Sequence, residues 1–386
     1  MMYFDNAATT YPKPRSVLSA VSSAAVYYGG NPGRSGHQLS LKTAQKVYEA
    51  RQALAQLLHV PEEENIVFTL NCTHALNMAI KGAVEQGGHV VTSSLEHNSV
   101  MRPLYALSLS RGVSYSIAQV EDGDPDATLQ NFEAAIRPDT RAVVCTFASN
   151  VTGTVLPIAR IGDLCKKKKL LFIVDAAQAA GVLPVNMREQ NIGVLCCAGH
   201  KSLMGVTGTG VMALAPGVEL STILEGGTGS ASADIAQPQF LPDRFESGTI
   251  NTVGIVSLLA GAQFLKRRGI SQLYEHELNL CVQLYDELSA RSGIRLYASH
   301  MRRGERAPVL SFNIEGMTSM EAADLLDAQG FAVRPGLHCA PSAHTQLGTM
   351  ETGTIRFSPG FSTKSTQVAM FADAVKKIAK NKRSTT

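Results

Sequence analysis

The sequence predicts an α/β fold built on a mainly parallel sheet, followed by a smaller α+β domain. In the middle of the chain, short apolar segments alternate with segments of helical spacing, which is typical of parallel strands covered by helices on both faces. After about residue 251 this order gives way to two long helical segments and then to short strands and helices. The 386 residues, 45% of them hydrophobic, are enough for one large core and one smaller core.

Seven central segments have the length and composition of buried strands. They are 65–70, 88–93, 113–118, 141–147, 170–174, 193–197 and 209–214. The helical segments between them are 73–86, 99–111, 128–136 and 158–168. A (β/α)₈ barrel would continue this alternation through the second half of the chain, where the sequence abandons it. An open, doubly wound sheet of seven strands is therefore the better prediction.

The C-terminal third is predicted to be a separate α+β domain. Its predicted helices are 251–268, 271–291, 319–329 and 364–380, and its predicted strands are 294–298, 307–314, 331–334 and 353–358. Thr318 and Glu321 have the spacing of a capping box at the start of the third helix. We expect three parts: residues 1–15 pack on the small domain and the active site, 16–255 form the large domain, and 256–386 form the small domain.

Composition excludes several classes of protein. A net charge of +3 gives no basic field for nucleic acid, and the charged clusters 166–169 and 376–383 are predicted to be solvated. The seven cysteines are odd in number and show no metal-binding spacing, which favours a reducing compartment. The N-terminal residues lack the pattern of a signal peptide, and no apolar stretch approaches 18 residues. We therefore expect a cytoplasmic globular protein that binds neither nucleic acid nor membrane.

Polar residues follow several predicted strands, at the edge where an open parallel sheet binds its ligands. Cys72 and Thr73 begin a helix, whose free N–H groups favour a phosphate, although a plain N-cap by Asn71 explains this stretch equally well. His97 follows the next strand, where a lone histidine is more often a solvated loop residue. Asp175 follows four apolar residues, so it either caps a helix or is a buried carboxylate that requires a cationic partner.

A histidine–lysine pair completes this set. His200 and Lys201 lie between the apolar strand 193–197 and a glycine-rich stretch, a setting that argues against an ordinary solvated lysine. Pyridoxal 5′-phosphate (PLP) needs a lysine for its Schiff base, an acid for its pyridine nitrogen, an anion cradle for its phosphate and a ring that stacks on its face. Because the strand-end residues supply all four, the sequence predicts PLP chemistry.

The chain resembles fold-type I PLP enzymes of the class V aminotransferase group, and specifically cysteine desulfurases and selenocysteine lyases. The resemblance covers nearly the whole chain, and the motifs that carry it are specific in their combined order rather than singly. They are YFDNAATT (3–10), CTHALN (72–77), LEHNS (95–99), SNVTGT (149–154), VDAAQ (174–178), GHKSLMGVTGTG (199–210), FESGTINTVGI (245–255), RPGLHCAP (334–341) and GTIRFS (353–358).

The resemblance implies a role for each residue around the ring. Lys201 forms the Schiff base, Asp175 pairs with the pyridinium nitrogen and His97 stacks on the ring. Gln178 and Asn150 reach the phenolic oxygen of the ring and its surroundings.

For the phosphate, the resemblance implies contacts from Cys72, Thr73 and His200. Ala198 stands where the family often has a serine that contacts the phosphate, so one hydroxyl donor is missing. We expect Thr73, or Thr249 of the partner subunit, to carry more of that anchoring.

Two residues near the C-terminus limit which PLP-dependent reactions the sequence predicts. Cys339 lies in a loop rich in glycine, proline, histidine and serine. This setting and the neighbouring His338 favour a reactive thiol, whereas the other six cysteines are predicted to be small buried hydrophobes. Arg356 is suited either to a structural salt bridge or to a bidentate clamp on an α-carboxylate. The resemblance implies the clamp. It also implies that the pocket is closed by Asn6, Ala7 and Ala8.

The resemblance therefore implies a PLP-dependent cysteine desulfurase, which converts L-cysteine to L-alanine and passes the sulfur to Cys339 as a persulfide. Selenocysteine lyase is the close alternative. A class V aminotransferase without sulfur chemistry leaves Cys339 unexplained, and a non-catalytic scaffold of this fold conflicts with the intact set Lys201, Asp175 and His97.

The partners are also implied by resemblance. The short interval from Cys339 to Arg356 resembles the sulfur-mobilising branch with a compact loop, so we expect a small acceptor protein. Segments 224–230 and 245–251 resemble those that reach a neighbouring active site, so we expect a homodimer. Iron–sulfur cluster assembly, nucleoside thiolation and selenoprotein synthesis all remain open as the pathway served.

Overall fold

The computed structural model describes residues 1–33, 36–84 and 86–383. The strands in chain order are β1 (Met2–Tyr3), β2 (Ile66–Thr69), β3 (His89–Ser93), β4 (Ser114–Ala118), β5 (Thr140–Thr146), β6 (Leu171–Asp175), β7 (Val194–Ala198), β8 (Gly210–Leu214), β9 (Ile294–Leu296), β10 (Leu310–Ile314), β11 (Phe331–Ala332) and β12 (Ile355–Phe357). The helices are α1 (Arg15–Tyr27), α2 (Gln38–Leu58), α3 (Cys72–Ala83), α4 (Asn98–Arg111), α5 (Pro125–Ala135), α6 (Ile158–Lys168), α7 (Thr252–Arg268), α8 (Ile270–Ser289), α9 (Ser319–Asp327), α10 (Pro341–Leu347) and α11 (Ser365–Arg383).

The central sheet has seven strands in the order β2-β8-β7-β6-β5-β3-β4. Only β8 runs antiparallel to its neighbours, so the prediction of a mainly parallel seven-stranded sheet is confirmed. Alternate residues of each inner strand enter two hydrophobic clusters on opposite faces; Ile173 packs on one side and Phe172 on the other. Burial on both faces explains why these strands are continuous apolar runs in the sequence.

The predicted elements match the structure within a few residues, with four additions, of which one is the short strand β1. The predicted helix 73–86 ends at Ala83, and residue 85 of that prediction lies outside the described residues. Helices α1, α2 and α10 were not predicted. In α2, Val47, Ala50, Leu54 and Leu58 are buried at helical spacing, so the sequence carried a signal for this helix.

The C-terminal third contains a three-stranded antiparallel sheet, β12-β10-β9, with α8 and α11 packed together beside it. The predicted capping box is present, since the Thr318 hydroxyl and the Glu321 carboxylate each bond the other's backbone N–H. The N-terminal strand β1 pairs with β11 in parallel, which brings the first residues of the chain to this region. The predicted boundary at 255/256 falls inside α7, and the three-part division remains a prediction.

The sheet topology places the site. Strands β5, β6 and β7 are parallel neighbours, so their carboxyl ends meet at one edge, with Thr146 opposite Asp175 and Asp175 opposite Cys196. Lys201 follows the end of β7 by three residues, and α3 begins at this same edge after β2. Within the described part of the chain, no helix is both long and apolar enough to cross a membrane.

Candidate active site

A cavity of about 220 Å³ lies at the carboxyl edge of the sheet, and we call it the site cavity. The strand ends form its floor, the N-terminal segment closes one side, and Arg334 and Arg356 lie along its wall. Most residues predicted from the sequence meet here. The predicted residues that line it are Ala7, Ala8, Cys72, Thr73, His97, Asn150, Asp175, Gln178, His200, Lys201 and Arg356.

Three predicted residues lie outside this lining. Asn6 is behind the wall, where its amide donates to the Ser358 carbonyl at 3.1 Å and accepts from the Tyr11 N–H at 3.1 Å. Thr249 lines a separate cavity of about 120 Å³ near β8, which leaves its predicted role in a partner subunit as a proposal. Cys339 is exposed, with its Sγ 3.9 Å from Nη2 of the lining residue Arg334, and we call the part of the cavity at these two residues its mouth.

Asp175 provides a buried negative charge at the floor of the cavity. The residue is 4% exposed and ends β6. Its Oδ1 accepts from the Ala177 N–H at 2.9 Å and from the Cys72 thiol at 3.4 Å. Within the described residues it forms no salt bridge. A buried carboxylate without a cation is costly, so this position suits a ligand that brings its own positive charge.

Lys201 reaches the same floor from a tight turn after β7. A Cβ atom at Gly199 would lie 2.2 Å from Oγ1 of Thr209, so this turn requires glycine. Burial lowers the pKa of Lys201 below its ordinary value, and the Asp175 carboxylate opposes part of that effect. A larger fraction of neutral amine results, and the neutral amine is the form that attacks a carbonyl carbon.

His97 is held as a neutral ring by the start of α4. Its Nδ1 accepts the Ser99 N–H at 3.0 Å, so the proton of the neutral ring is on Nε2. Burial lowers the pKa of His97, which keeps the ring neutral. Such a ring is suited to stacking on a flat ligand and to passing a single proton.

The opposite side of the floor offers an anion cradle. Cys72 and Thr73 are the first two residues of α3 and line the cavity, so the positive end of the helix is directed at the site. His200 lies beside them, and its Nδ1 is 3.1 Å from the Thr9 hydroxyl. Burial lowers the pKa of His200 to about 4, so the ring is a neutral hydrogen-bonding group. Ala198 lines the cavity without a hydroxyl, as the sequence indicated.

Arg356 is 1% exposed, and its guanidinium is already partly paired. Its Nη2 is 2.7 Å from Oδ1 of Asp5, and its Nη1 donates to the Asn150 carbonyl at 3.1 Å. No described residue accepts a hydrogen bond from its Nε, so the group retains a donor for a ligand. The structural salt bridge that the sequence left open is therefore present, and it coexists with a place in the cavity wall.

Arg334 is a site residue that sequence reasoning missed. Its backbone bridges that of Arg356, its side chain lines the cavity, and its Nη2 is near the Cys339 thiol. Unlike Arg356, it forms no salt bridge with any residue that the structure describes. The signal available in the sequence was a cation five residues before Cys339 in the same loop.

The loop around Cys339 has an unusual backbone. His338 and Cys339 both have left-handed φ angles, 49° and 57°, which turn the thiol outward. Of the seven cysteines, the other six are buried, as expected. His338 does not contact the thiol; its Nε2 is 3.1 Å from the Thr354 carbonyl, and burial lowers its pKa to about 2. The guanidinium of Arg334, rather than the neighbouring histidine, is the cation at this thiol.

Comparison with known proteins agrees with this geometry. Residues 2–371 match the description "Aminotransferase class-V". The chain belongs to the class-V aminotransferase family. It is 32% identical to a probable cysteine desulfurase of Methanothermobacter thermautotrophicus, over 98% of this chain and 94% of that protein.

Solved structures of this family show the same fold, the fold-type I fold. A cysteine desulfurase from Thermococcus onnurineus, solved in its apo form, is 30% identical with a TM-score of 0.89, covering 98% of this chain and 95% of that one. The cysteine desulfurase CsdA of Escherichia coli is 26% identical with a TM-score of 0.87, covering 97% and 94%.

The residues present fit PLP, the cofactor of this family. The decisive observation is the donor set around one cavity: a buried carboxylate that forms no salt bridge with any described residue, a lysine with a lowered pKa, and a helix N-terminus. These supply a partner for a ring nitrogen, an amine for an aldehyde and a cradle for a phosphate. Within the described residues, no group of three or more histidine, cysteine or acidic side chains is arranged to hold a metal ion.

Proposed function

We propose that this protein is a PLP-dependent cysteine desulfurase that converts L-cysteine to L-alanine and carries the sulfur as a persulfide on Cys339. The observation that carries the proposal is the exposed Cys339 thiol beside Arg334, at the mouth of a cavity whose floor holds Lys201 and Asp175. A plain aminotransferase has no use for that thiol. The names of the relatives, cysteine desulfurases in each comparison reported, support the same reaction.

The residues around the site cavity have the following proposed roles toward PLP. Lys201 would bond the aldehyde carbon, Asp175 would hold the proton on the pyridine nitrogen, and His97 would cover the ring face. Asn150 and Gln178 would reach its phenolic oxygen. The residues that would bind the phosphate are Cys72, Thr73 and His200, with Thr249 contributed by the second copy of a homodimer. When bound, PLP withdraws electrons from Cα of the attached amino acid, which makes the Cα proton removable.

Three side chains of the protein, those of Arg356, Lys201 and His97, act on the substrate. Arg356 would hold the substrate carboxylate, beside Ala7 and Ala8 of the N-terminal segment, while Asn6 would support that segment from behind. Lys201, whose burial lowers its pKa and so favours the neutral amine, would take the proton from Cα. His97 exchanges a proton with the substrate thiol through Nε2. Lys201 and His97 follow strands of the central sheet, whereas Arg356 lies on β12 of the smaller sheet.

Sulfur transfer occurs at the mouth of the cavity. The Cys339 thiolate attacks the substrate sulfur; an S–S bond forms, the C–S bond breaks, and the electron pair of that bond stays on the carbon fragment. Two protons returned to that fragment give L-alanine, so L-cysteine and one thiol become L-alanine and one persulfide. The guanidinium of Arg334, whose Nη2 is 3.9 Å from the Cys339 sulfur, places a positive charge beside the atom that starts this step.

The exposure of Cys339 also supports an acceptor. A persulfide on an exposed loop is open to a small acceptor protein, which would remove the outer sulfur and restore the thiol. Exposed apolar side chains at Leu224, Ile235 and Phe240 support a homodimer formed through this surface. We place the reaction in the cytoplasm, where a persulfide and seven free cysteines are chemically compatible with the surroundings.

Selenocysteine lyase is the second candidate, and one observation favours it. Cys339 lies outside the lining of the site cavity, so a leaving group that departs without thiol attack suits the geometry. Selenium is such a group. The two activities differ in their need for Cys339, which makes them separable by one substitution.

The test measures L-alanine, sulfide and selenide released from L-cysteine and L-selenocysteine, with and without a thiol reductant. For a desulfurase, Cys339→Ala lowers L-alanine formation from L-cysteine by at least about 100-fold and retains PLP, because the nucleophile is lost while the floor is intact. Cys165→Ala, which removes a buried thiol, serves as the control and keeps full activity. Normal desulfuration by Cys339→Ala would refute the persulfide, and undiminished selenide release alone would identify a lyase.

A further inference from the structure

The Asp175 carboxylate has both of its protein donors on one oxygen. The Ala177 N–H and the Cys72 thiol both bond Oδ1, at 2.9 Å and 3.4 Å. No described residue donates a hydrogen bond to Oδ2. Because Asp175 lines the site cavity, Oδ2 is the oxygen left for a ligand. Oδ1 is therefore held by the protein, and Oδ2 is available to a ligand.

Cys72 is held where its thiol must meet this carboxylate. It is the first residue of α3, directly after Asn71, whose side chain caps the helix by accepting the His74 N–H at 2.8 Å. Cys72 is only 8% exposed, so its sulfur has little access to water as an alternative partner. A distance of 3.4 Å is ordinary for a sulfur donor, which is larger and weaker than a hydroxyl.

The proton needed for this contact stays on the sulfur. Burial, and next the negative charge of Asp175, raise the pKa of the Cys72 thiol well above its ordinary value. Cys72 is therefore a thiol, and a donor, wherever the protein is folded near neutral pH. This state also excludes a nucleophilic role, since the thiolate is the reactive form.

We infer that Cys72 is a positioning residue, whose S–H group fixes the rotation of the Asp175 carboxylate so that Oδ2 is presented to the cofactor's pyridine nitrogen. The inference rests on the proposed function, because PLP is the ligand that needs this acid. The last torsion of an aspartate is broad and roughly two-fold, so one donor restrains it poorly and two donors on one oxygen restrain it well. This role differs from the phosphate contact that the start of α3 would make through its backbone.

A second buried cysteine provides a matched control. Cys196 is 0% exposed and lies on β7 directly opposite Asp175 in the sheet, yet its thiol makes no hydrogen bond with the carboxylate in the described structure. Cys72→Ala and Cys196→Ala each remove one thiol next to Asp175. Only the first removes a donor.

The experiment uses the PLP-loaded enzyme and measures the visible absorption spectrum and the rate of PLP release. We expect Cys72→Ala to release PLP about threefold faster, as suits one weak hydrogen bond, and to shift the absorption maximum. Cys72→Ser, whose hydroxyl donates in the same direction, should recover both values, and Cys196→Ala should match the wild type. A merely structural role for Cys72 would change the melting temperature of the apo form and leave the spectrum unaltered.

The possible failures are distinguishable. A wild-type chain that binds no PLP contradicts the proposed function and the inference together. A wild type that binds PLP, with Cys72→Ala identical to it in spectrum and release, contradicts the inference alone. The inference also fails when Cys72→Ser behaves as Cys72→Ala does, or when Cys196→Ala gives the same shift.

Discussion

The two ends of the site cavity are built in opposite ways. At the floor, Asp175 and Lys201 are held by strand ends and a tight turn, and both are withdrawn from water. At the mouth, Cys339 is exposed on a loop with two successive left-handed residues. Removing a proton from carbon needs groups fixed to within a fraction of an ångström, whereas handing sulfur to another molecule needs access. The fold supplies rigidity at one end and exposure at the other.

The ends also differ in charge. Among the described residues, Asp175 at the floor and Arg334 at the mouth form no salt bridge, while Arg356, which also lines the cavity, is partly neutralised by Asp5. An amino acid bound to PLP would therefore have the positive ring nitrogen at the floor and its own carboxylate toward the arginines. The charge distribution orients the substrate as well as binding it.

The largest expected effect comes from the floor. Lys201→Ala should lower L-alanine formation by at least about 1,000-fold, because it removes both the amine that bonds PLP and the base that takes the Cα proton. The visible absorbance of Lys-bound PLP should disappear at the same time, measured after dialysis against PLP.

Two outcomes sharpen this prediction. Lys201→Arg keeps the charge and most of the volume, so it should be as inactive as the alanine variant. Retention of the Lys-bound spectrum by either variant would show that another lysine bonds the cofactor, and the assignment of the floor would be wrong.

The arginines at the mouth should give intermediate effects of two different kinds. Arg356→Lys removes the planar donor pair, so the KM for L-cysteine should rise about 10-fold to 100-fold with a smaller change in kcat. Arg334→Gln should instead slow alkylation of Cys339 by iodoacetamide by about threefold, since it removes the guanidinium that lies 3.9 Å from the sulfur.

Neither arginine variant should change the spectrum of bound PLP, which belongs to the floor. Equal effects of both variants on KM, with no effect of Arg334→Gln on alkylation, would mean that the two guanidinium groups act as one carboxylate clamp. Arg334 would then act on the substrate carboxylate, as Arg356 does, and not on the Cys339 thiol at the mouth.

The sequence predicted the floor better than the mouth, for a physical reason. Asp175 and Lys201 follow buried strands, and parallel strands must bring their carboxyl ends together, so a list of strand ends already approximates the site. The inner strands were themselves visible because burial on both faces leaves uninterrupted apolar runs, whereas the edge strand β4 is only partly buried. The topology of a parallel sheet is therefore enough to predict which residues meet at the floor.

The mouth depends on side-chain directions that no sequence pattern encodes. The proximity of His338 to Cys339 in sequence suggested that the histidine acts on the thiol, but its ring bonds to Thr354 instead, and Arg334 occupies the place beside the sulfur. The Cys72 contact with Asp175 is of the same kind, since it joins residues 103 positions apart. Tertiary packing decides such contacts, and only the structure shows them.

The smallest expected effects concern two buried acids, one under the floor and one far from it. Glu96 is 0% exposed, and its Oε1 accepts the N–H of Thr146, a residue of the cavity floor, at 2.8 Å. Glu277, 6% exposed, lies in α8. Burial raises the pKa of each from 4.5 to about 8.

Because the folded pKa lies above the unfolded one, the folded protein binds more protons between these values. The stabilising contribution of each acid is therefore complete below about pH 4.5 and is lost as the pH rises to about 8, a change of order a few kcal/mol in the free energy of unfolding. Glu96→Gln and Glu277→Gln should each flatten this decline, measured by urea unfolding of the apo form at several pH values.

Glu96→Gln keeps an oxygen for the Thr146 N–H, so PLP release should change by less than about twofold. A steeper decline in either variant would show that the acid is ionised in the folded protein. A large change in PLP release from Glu96→Gln alone would show that Glu96 helps to hold the cavity floor in place.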